Sequence, residues 1–477
     1  MKLSSVVRGG FFGIATLVVE KGAAFALVVL LARLLPPESY GIYSFVVAWL
    51  TIFQVLADFG LEPVLVRRLS VPGADRAGIL SAGLGLRLGL ALASATLAVV
   101  LAPWASGEGT AIVPVVASGA AALLFLAQPG FRALLRAELR LGSVFLLASI
   151  TATLSLLLVW LIAGGGGGLV EVLLGYAVAV WSGLVGAAVL VGRRLRFRPR
   201  LDPVAWRGLL AECWPVGLNL FVLMLGLRAA AVVLMQVEGP VAVGQYASAA
   251  RLAEATNLLA EGAMLVVFPL LARLHQESAE RVAPLASQVA RGLAVLLCLV
   301  ALVGGALASD LMSLIFGAEF APAGPALAVL LWAAPLSAVG SLYANLVLVI
   351  GRQRVLLAVN AVVAAVLVAL QVVLVPDFGI LGAAAGVCIG SATGHVLLLA
   401  APSTRRWIAP CVRAMAPVMA LALASLMAVS AFADGIHAAL WLMVVFPVVL
   451  VATGTFSARD LAELRALLAP ADSAPAA

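Results

Sequence analysis

GFFGIATLVVEKGAAFALVVLL, residues 10–31, is an apolar run interrupted only by adjacent Glu20 and Lys21 near its middle. Wound as a helix at 1.5 Å per residue it is about 33 Å long, enough to cross a hydrocarbon core of about 30 Å. It is too long for the core of a signal peptide and reads as a first membrane span that stays in the protein. The rest of the chain agrees with this reading. Of its 477 residues 64% are apolar and 11% charged, with a mean hydropathy of +1.18, whereas soluble domains run at about 45–50% and 25%. A soluble enzyme, a disordered tail and a disulfide scaffold are excluded. Cys213, Cys298, Cys388 and Cys411 are scattered without a CxxC pair, the pattern of reduced packing residues.

Windows of about twenty residues between breaks give fourteen spans: 10–32, 41–62, 79–102, 111–128, 143–163, 169–191, 214–236, 252–272, 292–312, 326–350, 355–375, 380–401, 412–432 and 437–456. The 29 Lys and Arg residues sort by loop. The N-terminus and the even-numbered loops hold nearly all of them, including Arg67, Arg68, Arg76, Arg132, Arg136, Arg140, Arg352, Arg354, Arg405, Arg406 and Arg413. The opposite loops carry Glu38, Glu108, Glu171, Glu238, Glu319, Asp377 and Asp434, with Arg33 and Arg251 at their edges. Cations mark the cytoplasmic loops, so both termini are expected in the cytoplasm and the number of spans is even. The net charge of +7 is mostly topology and calls for no nucleic-acid partner.

The fold expected is an all-α polytopic membrane protein: two pseudo-symmetric six-helix lobes and a C-terminal helix pair. The N-lobe is 1–191, a basic cytoplasmic linker 192–213, the C-lobe 214–401, spans 13–14 lie in 402–456, and a cytoplasmic tail follows over 457–477. An offset of 203 residues brings Gly41 and Tyr43 onto Gly244 and Tyr246, and Gln54 to Asp58 onto Asn257 to Glu261. Parallel six-helix repeats place a binding cavity at the midplane and open it to each side in turn. In the tail, Ser457 with Asp460 three residues on is a capping box, and Leu461, Leu464 and Leu468 share a face, so a short surface helix is expected.

Catalytic constellations are missing. His275, His395 and His437 have no metal-ligand spacing, and neither a phosphate loop nor a nucleophile turn occurs. Gly83-x-Gly85 with Gly89 mimics a dinucleotide fingerprint but lies inside a span, where small residues serve close helix packing. The chain reads as a non-enzyme without a cofactor, leaving room for coupling to an ion gradient.

Charges inside the spans carry the functional signal, because a helix-centre Arg or Lys costs about 2.5–3.5 kcal/mol to insert and usually faces a polar cavity. Lys21 lies mid-span, Arg228 inside span 7 and Arg87 inside span 3. Together they suit an anionic, phosphate-bearing substrate. Arg251 joins them as a cavity cation near the outer mouth. Arg251, Glu254 and Asn257 form an i, i+3, i+6 polar stripe on span 8. Glu20 is adjacent to Lys21 but on another helix face, and Asp58 and Glu261 are repeat-related acids that read as gating residues. Asp58, Glu254 and Glu261 are also the acids that could neutralise Arg228, and Arg87 could instead extend its head to the cytoplasmic face.

The stretch 31–68, LARLLPPESYGIYSFVVAWLTIFQVLADFGLEPVLVRR, resembles the first-loop and second-helix signature of bacterial polysaccharide-biosynthesis flippases, the O-antigen and exopolysaccharide translocases of the multidrug/oligosaccharidyl-lipid/polysaccharide (MOP) superfamily. GQY at 244–246 with FPLLAR at 268–273, FGAEFAPAGPAL at 316–327 and PDFGILGAA at 376–384 extend the resemblance in the family's order. It implies a multi-pass protein of the bacterial cytoplasmic (inner) membrane that moves undecaprenyl-diphosphate-linked oligosaccharide between leaflets by alternating access. It implies basic cavity residues for the diphosphate, and as partners the lipid-linked glycan, the bilayer, and polysaccharide polymerase and chain-length proteins. Relatives place an acid near the residue equivalent to Arg228 and this sequence does not, so no acid–cation pair or coupling ion carries over. In similar proteins the last helix pair forms a lipid-side groove. Two other readings stand beside this one: a cation-coupled multidrug antiporter of the same superfamily, which needs an acidic cavity, and a flippase for a peptidoglycan lipid intermediate.

Overall fold

The computed structural model describes residues 3–71, 73–121, 131, 134–135, 141–192 and 202–455. The tail 457–477 with its capping box, the basic stretch 193–201, Arg132, Arg136, Arg140 and the second half of the fourth span lie outside the described residues. Those described are almost entirely helical, without a strand. In a bilayer an unpaired backbone N–H or C=O has no water to turn to, so a chain this apolar satisfies its own hydrogen bonds within helices.

In order these are α1 (Leu3–Leu34), α2 (Pro37–Asp58), α3 (Leu61–Leu69), α4 (Arg76–Ser106), α5 (Val113–Ala120), α6 (Leu141–Gly164), α7 (Leu169–Gly192), α8 (Pro203–Val237), α9 (Pro240–Glu254), α10 (Asn257–Glu277), α11 (Val282–Ala306), α12 (Ala308–Phe316), α13 (Gly324–Val349), α14 (Gln353–Ala400), α15 (Pro402–Ser430) and α16 (Gly435–Ala452). Among the described residues twelve helical segments are long and apolar enough to cross a membrane. One of them, α14, would measure about 72 Å if straight, more than twice a bilayer core. It is broken at Gly379, whose φ of 54° and ψ of −133° only glycine adopts without strain. From there the chain folds back on itself. A side chain on Gly382 would strike the Leu374 carbonyl oxygen, one on Gly390 would strike Leu367, and one on Gly386 would come within 2.7 Å of Gln371 Nε2. Glycine at every fourth position thus gives the second arm a flat stripe on which the first arm lies, the small-residue packing that membrane helices use. Gln371 Nε2 donates across the hairpin to the Ala383 carbonyl at 3.2 Å. Two crossings over 353–400, as expected for spans 11 and 12, raise twelve to thirteen. The fourth span, expected at 111–128, is seen in its first half as the short apolar helix Gly109–Ala120.

Two compact units emerge, Met1–Ala247 and Ser248–Ala477. By contact the division falls inside α9 and not in the basic stretch at 192–213 where the charge pattern put the seam. The reason is that α8 packs against α2 and α4, so the seventh span groups with the first unit. Aspartates hold two helix starts in this unit. Asp75 accepts from the Gly78 N–H at 2.9 Å, and Asp202 accepts from the N–H groups of Val204 and Ala205. Its inner core gathers Leu61, Leu65, Leu80, Leu135, Val191 and Leu209. Gly83 sits against Leu65, whose Cδ2 would be 2.7 Å from an added Cβ, which is the packing role its span position suggests. In the second unit α11 is central, packed against α13, α15 and α16.

The internal repeat has a physical counterpart. Pro37 opens α2 and Pro240 opens α9, again 203 residues apart. The equivalent glycines touch: a Cβ on Gly244 would lie 3.2 Å from the Gly41 Cα, and one on Gly41 would run into the Pro240 carbonyl. The eighth span therefore begins at Pro240, twelve residues before the hydropathy window placed it. The intervening VAVGQYASAA is small and mildly polar, which lowers hydropathy without preventing a helix.

Candidate functional site

The ionisable residues named from the sequence fall into separate groups. Within the first unit, α2 ends at Phe59 and Gly60, both left-handed (φ 43° and 76°). This break aims Asp58, the last residue of α2, toward α4, where Arg87 is 1% exposed and pairs through Nη2 with Asp58 Oδ1. Arg87 Nε and Nη1 are buried without a hydrogen-bond partner. The sequence grouped Arg87 with the substrate-binding cations; it is instead enclosed by protein, because a carboxylate lies within reach inside the unit. Neither an open cavity nor the aqueous face receives its guanidinium. Asp58, read as a gating acid, is the counter-charge of this buried ion.

Just beyond the break, α3 carries Arg67 and Arg68, and both grip the carboxylate of Glu212 on α8. The backbone beside this clasp is close: a Cβ on Gly217 would lie 2.6 Å from the Phe59 carbonyl oxygen. Glu212 escaped the sequence reading. The signal that could have found it is an acid among the cations that precede span 7, a place it shares with Asp202.

Lys21 and Arg228 stand differently. Lys21 is exposed on α1, about 20 Å along the helix from its Leu34 end, and Arg228 is half-buried on α8, about 14 Å from its Val237 end. Both ends lead to acid-bearing loops, so each cation lies well inside the apolar length of its helix. Glu20 is half-buried beside Lys21. In the second unit Arg251 Nη1 bonds Glu254 Oε2 at 3.1 Å. Arg251 lies about 16 Å along the helical path from Pro240. It is not at the outer mouth, because the eighth span starts earlier than its hydropathy suggests. Asn257 opens α10, and Glu261 follows one turn on, half-buried. Of the three acids weighed as partners for Arg228, Asp58 goes to Arg87 and Glu254 to Arg251.

No group of three metal-ligating side chains occurs among the described residues. His395 sets Nδ1 against the Ser391 carbonyl at 3.0 Å and meets Tyr343 edge-on, while His275 meets Trp407 edge-on. All four cysteines are free.

Residues 6–275, more than half of the chain, match the family profile described as polysaccharide biosynthesis protein. The chain belongs to that family. Among curated proteins none matches it by sequence. In fold this polysaccharide biosynthesis protein is similar to the lipid II flippase MurJ in an inward closed conformation, with a TM-score of 0.72 and 13% identity over 95% of this chain and 99% of that one. It is similar also to an inward-facing multidrug resistance MATE family transporter of the MOP superfamily, with a TM-score of 0.66 and 15% identity over 84% of this chain and 99% of that one. A MOP superfamily transporter from Pyrococcus furiosus Vc1, for which a reverse polarity of the binding pocket suggests a different function, matches with a TM-score of 0.51 and 13% identity over 85% and 96%. The protein is thus a multi-pass membrane protein with the fold of MOP superfamily transporters.

Proposed function

We propose that this member of the polysaccharide biosynthesis family is a flippase for undecaprenyl-diphosphate-linked oligosaccharide and works by alternating access. One observation carries the reading: Lys21 and Arg228 stand mid-depth in their helices, where a cation is tolerated only against a polar or anionic neighbour. A diphosphate is an anionic group that both cations could hold. Arg228 would take two phosphoryl oxygens at once through its planar fork, and Lys21 would act as a point charge. Arg251, already neutralised by Glu254, contributes after its acid is displaced. No step makes or breaks a covalent bond, so the protein acts as a transporter and not as an enzyme. The cation-rich loops orient it with both termini in the cytoplasm of a bacterium, where it would receive its lipid-linked glycan on the inner leaflet and deliver it toward polymerase and chain-length proteins.

The multidrug antiporter is disfavoured by charge. Asp58 and Glu254 are each engaged by an arginine, which leaves them unsuited to a cationic drug. Flipping of a peptidoglycan lipid intermediate uses the same diphosphate chemistry and is supported by the likeness to MurJ over nearly the whole chain. A reconstitution assay separates the readings. Vesicles containing the full chain are loaded with a fluorescent polyprenyl-diphosphate glycan, and its movement is followed by quenching from outside. Wild type should exchange the lipid between leaflets, and the Lys21→Ala, Arg228→Ala double variant should not. Normal flipping by that variant at normal protein level would sink the cationic mechanism. Equal transport of a pentapeptide-bearing disaccharide lipid would assign the peptidoglycan reading instead.

A further inference from the structure

The arginines on the cation-rich face are not alike. Arg67 and Arg68 hold Glu212, and Arg273 holds Glu277. Arg352, Arg354, Arg405 and Arg413 are exposed, and none has a carboxylate partner among the described residues. Arg406, also exposed, lies over the ring of Trp407 with its guanidinium carbon 4.7 Å from the ring centre.

Arg352, Arg354, Arg405 and Arg406 belong to one place. The arms of α14 run antiparallel, with Val363 opposite Gly394 and Leu367 opposite Gly390. The start of the first arm, carrying Arg352 and Arg354, therefore comes back toward the end of the second, where α15 begins. The packing agrees: Val355, Leu356 and Val359 share an apolar cluster with Trp407, Ile408 and Cys411. Buried Thr404 fixes the turn by donating to the Leu398 carbonyl at 2.6 Å. Along α15 the packed face is Thr404, Trp407, Ile408, Cys411 and Met415, and the arginines take the other side. From residue 414 onward α15 is apolar through to residue 430, and α14 is apolar from 355, so the patch lies where both helices enter the bilayer. Both helix starts also lack an acidic residue in their first turn and a side-chain cap, which leaves positive helix ends in the same place.

We infer that Arg352, Arg354, Arg405 and Arg406 form a docking surface for the headgroups of anionic phospholipid in the leaflet they face. Guanidinium forks fit phosphate oxygens, and a basic cluster between helices at the membrane surface is the arrangement that retains acidic lipid. The tail cannot take this role for charge reasons, since its Asp460, Glu463 and Asp472 are offset by Arg459 and Arg465. The inference depends on the membrane fold and not on what the protein transports.

The test uses the purified full-length chain in detergent micelles, titrated with fluorescent phosphatidylglycerol and, in parallel, phosphatidylcholine. Wild type should prefer phosphatidylglycerol by about tenfold at low salt and lose the preference as salt is raised. The R352Q/R354Q/R405Q/R406Q variant should bind the two lipids alike, and the corresponding four-lysine variant should keep most of the preference. All four side chains are exposed, so folding should survive; an unchanged melting temperature checks this, and the smaller R405Q/R406Q variant stands in if it does not. An undiminished preference in the glutamine variants overturns the inference. So does an equal loss on neutralising Arg67, Arg68 and Arg76, which would make the attraction diffuse. Binding of a polyprenyl diphosphate at the patch without phosphatidylglycerol binding would overturn the phospholipid assignment and leave the patch to the transported lipid.

Discussion

Asp58→Asn keeps the shape of the Asp58 side chain and removes its charge, leaving Arg87 as a buried cation that has lost its paired carboxylate and keeps only the weaker field of Glu62. Arg87 is 1% exposed, and its Nε and Nη1 already lack hydrogen-bond partners, so Asp58 is what balances it. Breaking one side of a buried pair costs about 3–5 kcal/mol. Asp58 is 24% exposed, and water reaching the site through it places the expectation at the lower end, about 3 kcal/mol. For a unit of this size each kcal/mol moves the melting temperature by about 2–4 °C, so a fall of about 6–12 °C is expected. Tryptophan fluorescence during thermal unfolding reads it directly. Exchanging the whole pair, Asp58→Asn with Arg87→Met, removes the stranded charge and should restore most of the loss, because an apolar side chain of similar length suits the enclosed site. The reasoning is refuted if Asp58→Asn melts within about 2 °C of wild type, or if the double variant melts below both single ones.

Further expectations concern packing and the remaining charges. Gly390→Leu places a branched side chain against Leu367 in the α14 hairpin and should destabilise by about 1–3 kcal/mol. Gly89→Ala, with open space around it, should be neutral or slightly stabilising, and the two melting curves should move apart. Glu212→Gln should cost no more than about 1 kcal/mol despite its two ion pairs, because Arg67 is 68% exposed and the other two side chains about a third exposed; a larger drop on thermal unfolding would contradict this. Glu254→Gln should tighten binding of a polyprenyl diphosphate and Arg251→Gln should weaken it. Equal signs in a binding titration would remove Arg251 from the substrate site.

The many-span helical fold was legible because it is written in composition and in the length of the apolar runs, which follow from the cost of placing charge in hydrocarbon. The repeat was legible from Gly41 and Gly244, and their contact explains why those positions are glycine. The start of the eighth span was missed because hydropathy averages polarity over a window, whereas Pro240 at a first helical turn is a local signal that the average erases. The partner of Arg87 lay 29 residues upstream in Asp58, both residues having been singled out, but no periodicity relates residues on different helices. The pairing of Glu212 with Arg67 and Arg68 was hidden for the same reason. The contact boundary at Ala247 was hidden because the packing of α8 against α2 and α4 leaves no trace in loop charge.

The hairpin of α14 bears on how the chain is made. Synthesis delivers the arm that ends before Gly379 first, and that arm carries Gln371, whose amide is fully buried in the finished protein and finds its acceptor at Ala383 on the arm still to come. The following arm, with glycine at 382, 386, 390 and 394, is shaped to receive this one neighbour. The bonding of Gln371 is therefore complete only when both arms of 353–400 are side by side.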